Sequence, residues 1–286
     1  MSDTPIGTVV ALWRYPVKSM MGEELNSADV TERGLLGDRA FALLDASDGK
    51  VASAKNPRKW GKLFDFRASL SEPPRLGEAL PPVRITFPDG TIMTSDDRGI
   101  EEALSHASGR QVSLASSAPE RATLEEYWPD IEGLSHREAV TDEPMAFAAP
   151  GTFFDATPVH LLTTATLDRL RQVYPQGRFD VRRFRPNIVV KPDAEAIGFV
   201  ENDWVGRTLT LGDEARLSVS IPCPRCVMTT LAQGDLPSDP GILRAAAQHN
   251  RVRIPVLDQE MPSVGVYAVV SHGGLIRRGD PVRLVD

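Results

Sequence analysis

The apolar segments of this chain are short, and most of them end at a turn-forming residue. Among its 286 residues are 22 glycines and 23 prolines, which interrupt the sequence before a long apolar stretch can develop. In the first half, segments rich in apolar and β-branched side chains predict strands at residues 6–13, 39–44, 83–87, 91–94 and 111–115. Pro88, Asp89 and Gly90 separate two of these strands and predict a β-hairpin.

The second half continues this pattern of short strands with few helices. Strands are predicted at residues 159–162, 187–191, 208–211, 216–221, 264–270, 275–278 and 281–285. Apolar spacing predicts helices at residues 99–106, 164–174 and 241–249. Thr163 or Thr164 is suited to cap the second of these helices. We therefore expect a mainly β fold with a few helices (α+β), built from β-barrel-like modules rather than a doubly wound sheet.

The length of the chain predicts two domains, because it is nearly twice the roughly 150 residues of a typical domain. Residues 116–145 are polar, acidic and weakly periodic, and they include Pro129 and Pro144. We expect the linker in this segment. The predicted domains are residues 1–120 and residues 121–286.

Composition and charge exclude several classes of protein. A hydrophobic content of 41% and a charged content of 25% are those of an ordinary globular protein. The net charge of −7 argues against nucleic acid as a partner. Residues 1–19 lack the apolar core and cleavage site of a secretion signal. No segment reaches the roughly 20 apolar residues of a membrane span. We therefore expect a cytoplasmic protein with no membrane partner.

Basic residues are nevertheless concentrated in two stretches. The first contains Arg14, Lys18, Arg33, Arg39, Lys50, Lys55, Arg58, Lys59 and Lys62. The second contains Arg178, Arg182, Arg183, Arg185 and Lys191. Two basic stretches in an acidic chain predict a local anion site. Solvated surface is the alternative for any single member of either stretch.

The chain contains two cysteines, Cys223 and Cys226, in the order Cys-Pro-Arg-Cys after a predicted strand. Zinc is disfavoured, because four ligands are needed and the five histidines are scattered. A thioredoxin-like pair would need a βαβ context, which is absent here. The positive charge of Arg225 is expected to lower the thiol pKa and to favour a metal-binding or nucleophilic thiolate. A buried structural pair remains an alternative.

Further segments offer groups that can bind an anion or a heterocycle. Arg185 presents a planar fork of donors for a phosphate or the edge of a pterin, and Asn187 offers both a donor and an acceptor. Lys18 and Arg39 provide charge, and Ser19 provides a hydroxyl. Turn residues ahead of a strand are the alternative interpretation of Arg185 and Asn187.

Four motifs together resemble those of a known family. In chain order they are Tyr15-Pro16-Val17-Lys18-Ser19, Gly37-Asp38-Arg39, Phe184-Arg185-Pro186-Asn187, and Cys223-Pro224-Arg225-Cys226 followed by Thr229-Thr230. From about Ile6 to Val285 the chain resembles the MOSC proteins with an N-terminal MOSC β-barrel domain, in particular the amidoxime-reducing branch and its bacterial counterparts. The resemblance implies an N-terminal MOSC β-barrel domain at residues 1–120 and a MOSC β-barrel domain at residues 121–286.

The resemblance also implies a site. Its cofactor would be the molybdenum cofactor, molybdopterin with Mo, and Cys226 would be the protein ligand to the metal. The residues expected to line the cofactor cleft are Lys18, Ser19, Arg39, Thr163, Arg185, Asn187, Pro224 and Arg225. Apart from the resemblance, Asp155 in the segment Phe154-Asp155-Ala156-Thr157-Pro158 is our candidate for a nearby acid, and a turn-forming role is the alternative. The loop 231–240 departs from the pattern of the family and leaves the choice of substrate open.

The activity implied by the resemblance is an oxidoreductase that reduces N-hydroxylated or related oxygenated small molecules by oxygen-atom transfer. Electrons would come from a separate ferredoxin-, flavin- or cytochrome-type protein, because the sequence has no further cysteines for an iron–sulfur cluster. The alternatives are a sulfur carrier with a persulfide on Cys226 and a non-catalytic cofactor-binding protein. Pyridoxal phosphate binding is a further property associated with the family as a whole.

Overall fold

The computed structural model describes residues 4–132, 137–145, 151–193 and 196–285. Of these described residues, strands hold 39% and helices hold 20%. The expectation of a mainly β fold with a few helices is therefore confirmed. Across these described ranges, no helix is both long and apolar enough to cross a membrane.

Short strands run through both halves of the chain. In chain order they are β1 (Gly7–Arg14), β2 (Glu23–Leu25), β3 (Ser27–Thr31), β4 (Gly34–Leu35), β5 (Ala42–Asp45), β6 (Arg67–Leu70), β7 (Val83–Thr86), β8 (Ile92–Thr94), β9 (Val112–Ala115), β10 (Thr123–Trp128), β11 (Ala139–Pro144), β12 (Val159–Thr163), β13 (Ile188–Pro192), β14 (Thr208–Leu211), β15 (Ala215–Pro224), β16 (Arg251–Ile254), β17 (Gln259–His272), β18 (Gly274–Arg277) and β19 (Pro281–Val285). The α-helices are α1 (Pro57–Trp60), α2 (Ile100–Ser108), α3 (Thr164–Val173), α4 (Val181–Phe184) and α5 (Gly241–His249). Single 3₁₀ turns lie at Gly61–Asp65, Val200–Trp204, Val227–Thr230 and Pro255–Leu257.

Seven of the strands form a closed barrel. Its strands follow the order β12, β13, β1, β19, β14, β15 and β17, and β17 pairs with β12 to close the ring. Strands β12 and β13 are parallel, and the other neighbours are antiparallel. Alternate side chains such as Val9, Leu161 and Val266 point inward and are almost completely buried. Closure leaves no free edge within the barrel.

The barrel takes strands from distant parts of the chain. Strand β1 lies near the N-terminus, yet it pairs with β13 on one side and with β19 on the other. Outside the barrel, β18 pairs with β3. The predicted domains therefore share strands, and the boundary between residues 120 and 121 remains a prediction.

A second core lies in the N-terminal part of the chain. The three-stranded sheet β6–β7–β8, the pair β5–β9 and helix α2 enclose buried side chains that include Trp60, Phe66 and Leu104. The hairpin predicted at Pro88-Asp89-Gly90 is confirmed by strands β7 and β8. Asp89 accepts a hydrogen bond from the Thr91 amide at 2.9 Å, and Gly90 adopts a φ of 87° that favours glycine.

Residues 116–145 contain more structure than the predicted linker. Strands β10 and β11 pair over six residues each, and Leu124 and Met145 pack in a small core with Val51 and Phe153. The acidic residues of β10 concealed this strand in the sequence. Their partners are lysines elsewhere in the chain, since Lys50 and Lys59 lie within salt-bridge distance of Glu125.

Candidate functional site

A cavity of about 410 Å³ lies between the barrel and the N-terminal part of the chain. This volume falls in the roughly 300–1,000 Å³ range of small-molecule sites. All of the site residues expected from the sequence, except Thr163, line it: Lys18, Ser19, Arg39, Asp155, Arg185, Asn187, Pro224, Arg225 and Cys226. The fold thus brings four distant motifs to one place.

Cys226 is the thiol that faces this cavity. It follows the end of β15 and precedes the 3₁₀ turn Val227–Thr230. Cys223 lies on the strand itself and is completely buried, whereas Cys226 is half-buried and contributes to the cavity wall. Both thiols are free. The two cysteines therefore have different settings, and of the two only Cys226 is placed to meet a ligand in the cavity.

Arg225 lowers the pKa of Cys226, as expected, but the net shift of that pKa is upward. Its Nη1 donates to the sulfur of Cys223, and its Nη2 donates to the carbonyl oxygen of Phe184 at 2.9 Å. Burial, together with the carboxylate of Glu126, raises the pKa of the Cys226 thiol to about 11, although the cations of Lys55 and Arg225 oppose the increase. The expected thiolate is therefore not favoured by the protein alone, because desolvation and Glu126 outweigh the nearby cations. A thiolate at this position needs a bound cation or metal to stabilise it.

Three of the cavity residues have a backbone conformation that side-chain-bearing residues rarely adopt. The φ angle is 63° at Ser19, 45° at Arg39 and 53° at Arg185. Such conformations are held in place by the surrounding structure and cluster at functional sites. Here, Arg185 ends helix α4, and its guanidinium donates to the carbonyl oxygen of Met20 at 2.7 Å. The strained backbone therefore directs side chains from both halves of the chain toward the cavity.

Tyr15 organises the two arginines. Its ring lies 4.5 Å from the guanidinium carbon of Arg39 and 4.2 Å from that of Arg185, which are cation–π distances. Asp38 pairs with Arg39 and accepts hydrogen bonds from the Tyr15 amide at 2.7 Å and from Asn187 Nδ2 at 2.9 Å. Burial, together with the neighbouring charge of Arg39, lowers the pKa of Arg185 to about 10. Asn187 thus holds this network together, and the paired cations make the region favourable for an anion.

Lys18 and Asp155 form an ion pair at the cavity wall. Lys18 Nζ lies 2.5 Å from Asp155 Oδ1 and 2.8 Å from the carbonyl oxygen of Phe153. Burial alone would raise the pKa of Asp155, but the ammonium groups of Lys18 and Lys55 outweigh it and hold that pKa well below its ordinary value. Asp155 is therefore ionised at neutral pH and does not suit the role of acid expected for it. Burial lowers the pKa of Lys18, despite the opposing effect of Asp155.

The structure adds residues that the sequence did not single out for the site. Lys55 and Glu126 both line the cavity and pair at 2.9 Å, and Lys55 Nζ also lies 3.8 Å from Asp155. Lys55 stood in a basic stretch without a distinguishing motif. Glu126 lay in the segment expected to be a linker, so no local signal pointed to it. His160 is buried beside the cavity, and its burial lowers its pKa to about 3, so its ring is neutral.

Thr163 lies outside the cavity lining. It is fully buried at the N-terminus of α3, where its hydroxyl oxygen accepts a hydrogen bond from the Thr166 amide at 3.2 Å. The same hydroxyl donates to Glu201 at 2.7 Å. This setting corrects the expectation of a cofactor contact. It confirms the other sequence prediction for this residue, that of a helix cap.

Of the four arginines in the second basic stretch, Arg185 alone lines the cavity. Arg178 and Arg182 pair with Asp235 at the surface. Arg183 is fully buried and donates to the carbonyl oxygens of Thr229, Leu231 and Pro237. These arginines therefore hold the loop that follows Cys226, and the anion site expected from this stretch is reduced to one side chain.

Two family descriptions match the chain. The MOSC domain matches residues 149–283, and the MOSC N-terminal beta barrel domain matches residues 6–77. Together they include all of the lining motifs described above. The chain belongs to the MOSC proteins that carry an N-terminal MOSC β-barrel domain, and the MOSC domain is a molybdenum-cofactor-binding family.

Similar proteins from mammals support the same assignment. Mitochondrial amidoxime reducing component 2 of Rattus norvegicus is 26% identical and covers 98% of this chain and 84% of its own length. Mitochondrial amidoxime-reducing component 1 of Mus musculus is 27% identical, and the match covers 98% of this chain and 83% of that protein. The solved structure of the YUAD protein from Bacillus subtilis aligns with a TM-score of 0.46 and 10% identity over 97% of this chain and 94% of that one, which is too distant to support an argument.

Proposed function

We propose that this protein is a molybdenum-cofactor-dependent oxidoreductase that reduces N-hydroxylated or related oxygenated small molecules, with Cys226 Sγ as the protein ligand to molybdenum. One observation carries the proposal: the half-buried thiol of Cys226 opens into the same cavity as Lys18, Arg39 and Arg185. A soft sulfur ligand suits molybdenum, and the cations suit the phosphate of a pterin cofactor. The names of the relatives give the reaction class.

The polar groups of the cavity fit such a cofactor. Among the described residues that line the cavity, Arg225 has a buried side-chain atom, Nε, without a hydrogen-bond partner. Buried polar atoms are rarely left unsatisfied, so Arg225 Nε is a place where a ligand gains a contact. Arg39 and Arg185 would hold the anionic end of the cofactor, Lys18 would add charge, and Cys226 would meet the metal.

The reaction needs two electrons and two protons to convert an N–OH group into N–H and water. The cofactor, when bound, supplies the two-electron chemistry at the metal. Lys18 Nζ donates one of the two protons in this proposal, because it lines the cavity and burial lowers its pKa, and solvent water supplies the other. Asp155 keeps that ammonium oriented through its ion pair. The electrons come from a separate protein.

The first test is the molybdenum content of the intact protein, purified from a host that makes the cofactor. We expect about one molybdenum per chain in the wild type and a loss of at least tenfold in Cys226→Ala. Cys223→Ala is the matched control, because it also removes a thiol but from a residue outside the cavity wall. Its molybdenum should be retained. Equal retention in both variants would overturn the role of Cys226.

The competing functions give different results in the same preparation. A persulfide carrier would show a labile extra sulfur on Cys226 by mass spectrometry and no molybdenum. A non-catalytic binding protein would contain molybdenum but reduce no amidoxime with reduced methyl viologen as the electron source. Reduction of benzamidoxime by the wild type, lost in Cys226→Ala, is the result that the proposal requires.

The place of action is also proposed. Both cysteines are free thiols, a state typical of a reducing compartment, so we propose that the protein acts in the cytoplasm. Fractionation of cells that produce the protein at its natural level would test this. Recovery in an exported or membrane fraction would contradict it.

A further inference from the structure

One wall of the cavity is formed by the hairpin of β10 and β11. The hairpin lies between the two regions that match the family, residues 6–77 and 149–283. Its residues Leu124, Glu126, Trp128 and Glu143 line the cavity. Backbone hydrogen bonds attach it to the N-terminal part of the chain, from Val51 to the Thr123 carbonyl and from Tyr127 to the Lys55 carbonyl, both at 2.9 Å. The hairpin is therefore a fixed wall.

A second part of the cavity wall comes from β16, β17 and the segment that joins them. Ile254, Val256, Leu257 and Met261 line the cavity on this side. Val256 is 62% exposed and Leu257 is 44% exposed, although both lie at the cavity. The two walls are connected, since the guanidinium of Arg251 donates to the carbonyl oxygen of Glu132 at 2.5 Å. Covering exposed apolar side chains at the rim of a cavity is favourable, because it removes apolar surface from water and so contributes to the binding of a ligand.

Trp128 is held in a defined orientation. Its indole Nε1 donates to Thr141 Oγ1 at 2.7 Å, and that hydroxyl donates to Glu143 Oε1 at 2.6 Å. A flat ring fixed in this way offers a large apolar surface at a small entropic cost. The hydrogen-bond chain also fixes the carboxylate of Glu143 beside the ring.

Of the three described carboxylates that line the cavity, two are paired with lysines and one, Glu143, is not. Lys18 and Lys55 are paired with Asp155 and Glu126. In the described part of the chain, Glu143 has no cation within salt-bridge distance, so its charge is not neutralised by the protein. An anionic substrate body placed against this wall would be repelled, whereas a neutral or cationic one would not.

We propose that the space between these two walls is a specificity subsite for the body of the substrate, and that it selects N-oxygenated compounds with a flat apolar body and no negative charge. Trp128 and Val256 contact the body, and Glu143 disfavours anionic substituents. This inference rests on the proposed function and concerns only the part of the substrate that does not react.

Three amidoximes with the same reacting group test the subsite. Acetamidoxime has a small body, benzamidoxime has a flat apolar body, and 4-carboxybenzamidoxime adds a negative charge. The molybdenum-loaded protein is assayed with reduced methyl viologen. For the wild type we expect kcat/KM for benzamidoxime to exceed each of the other two by about tenfold, a ratio in the range set by apolar contacts in a pocket.

The variants separate the two features of the subsite. In Trp128→Ala, kcat/KM for benzamidoxime should fall to within about threefold of kcat/KM for acetamidoxime, because KM for benzamidoxime rises. Val256→Ser changes an exposed position that tolerates substitution, and it should lower the same preference for benzamidoxime. This variant keeps the test valid if Trp128→Ala does not fold.

Glu143→Gln tests the charge of the subsite. It should raise kcat/KM for 4-carboxybenzamidoxime about fivefold relative to kcat/KM for benzamidoxime. Val140→Ser is the control, since Val140 is exposed on the same hairpin, and both substrate ratios should match the wild type.

The outcomes distinguish this inference from the proposed function. If the wild type reduces none of the three compounds, the proposed function fails. If it reduces all three at similar kcat/KM, or if Trp128→Ala and Val256→Ser change all substrates equally, the reductase proposal stands and the subsite is wrong.

Discussion

Charged side chains at the cavity are stabilised by specific partners, and Lys18 with Asp155 is the clearest pair. Lys18 is almost completely buried, while about a third of the Asp155 side chain is exposed. A buried ammonium without a partner is costly, because desolvation is no longer offset by an opposite charge. The motif around Lys18 predicted its place at the site, but the sequence did not show that Asp155 neutralises it.

Asp155→Asn should therefore lower the free energy of unfolding by about 2 kcal/mol at pH 7. This is less than the roughly 3–5 kcal/mol for a fully buried pair, because partial exposure screens the charge. The pKa of Asp155 is held below its ordinary value, so its stabilisation is present above about pH 4 and is lost as the pH falls further. Urea unfolding at pH 7 and at pH 3 would measure both effects.

Asp168→Asn is the matched control for this prediction. Asp168 pairs with Arg171 at 2.7 Å, but both side chains are at least half exposed. Its replacement should change the unfolding free energy by less than about 0.5 kcal/mol. A difference between wild type and Asp155→Asn that grows in acid would contradict the sign of the pKa shift.

At the scale of single elements, local sequence signals and structure agree well. Strand β14 and helix α5 occupy the predicted residues 208–211 and 241–249. Helix α3 begins after its predicted cap. Periodicity and capping act within a few residues, so they can be recognised without knowledge of the fold. Strand β10 escaped prediction because its carboxylates are matched by lysines distant in sequence.

Thr163→Ala tests the element-scale role of the cap. We expect a loss of about 1–2 kcal/mol in the free energy of unfolding, because the α3 amide and the buried carboxylate of Glu201 each lose a hydrogen bond. The molybdenum content should stay at the wild-type level. Thr164→Ala, at the first residue of the helix, is the control and should be close to neutral. Loss of molybdenum from a folded Thr163→Ala protein would restore the cofactor role that the structure argues against.

At the scale of the whole molecule, closure of the barrel depends on strand β1. This strand lies between β13 and β19 and belongs to the other predicted domain. Without it, the barrel would open at two unpaired edges, and apolar residues such as Val190 would lose their neighbours. The second domain therefore needs a strand from the first.

A fragment of residues 121–286 should accordingly fail to fold cooperatively on its own. We expect poorly dispersed NMR spectra and no sharp thermal transition for this fragment. Addition of a peptide with residues 4–18 should restore part of the signal, whereas a peptide of the same composition in scrambled order should not. A cooperative transition in the isolated fragment would show that the predicted boundary defines an independent domain.

The sequence by itself determined the class of fold, most of the strands and helices, and the motifs that line the cavity, because each of these depends on neighbouring residues. Only the tertiary structure decided which strands close the barrel, which carboxylate pairs with each lysine, and why Cys226 rather than Cys223 faces the cavity. Pairing between residues such as Lys55 and Glu126, or Lys18 and Asp155, which are far apart in the chain, leaves no periodic trace in the sequence. For the same reason, the direction of the Cys226 pKa shift depended on burial, which is a property of the folded molecule alone.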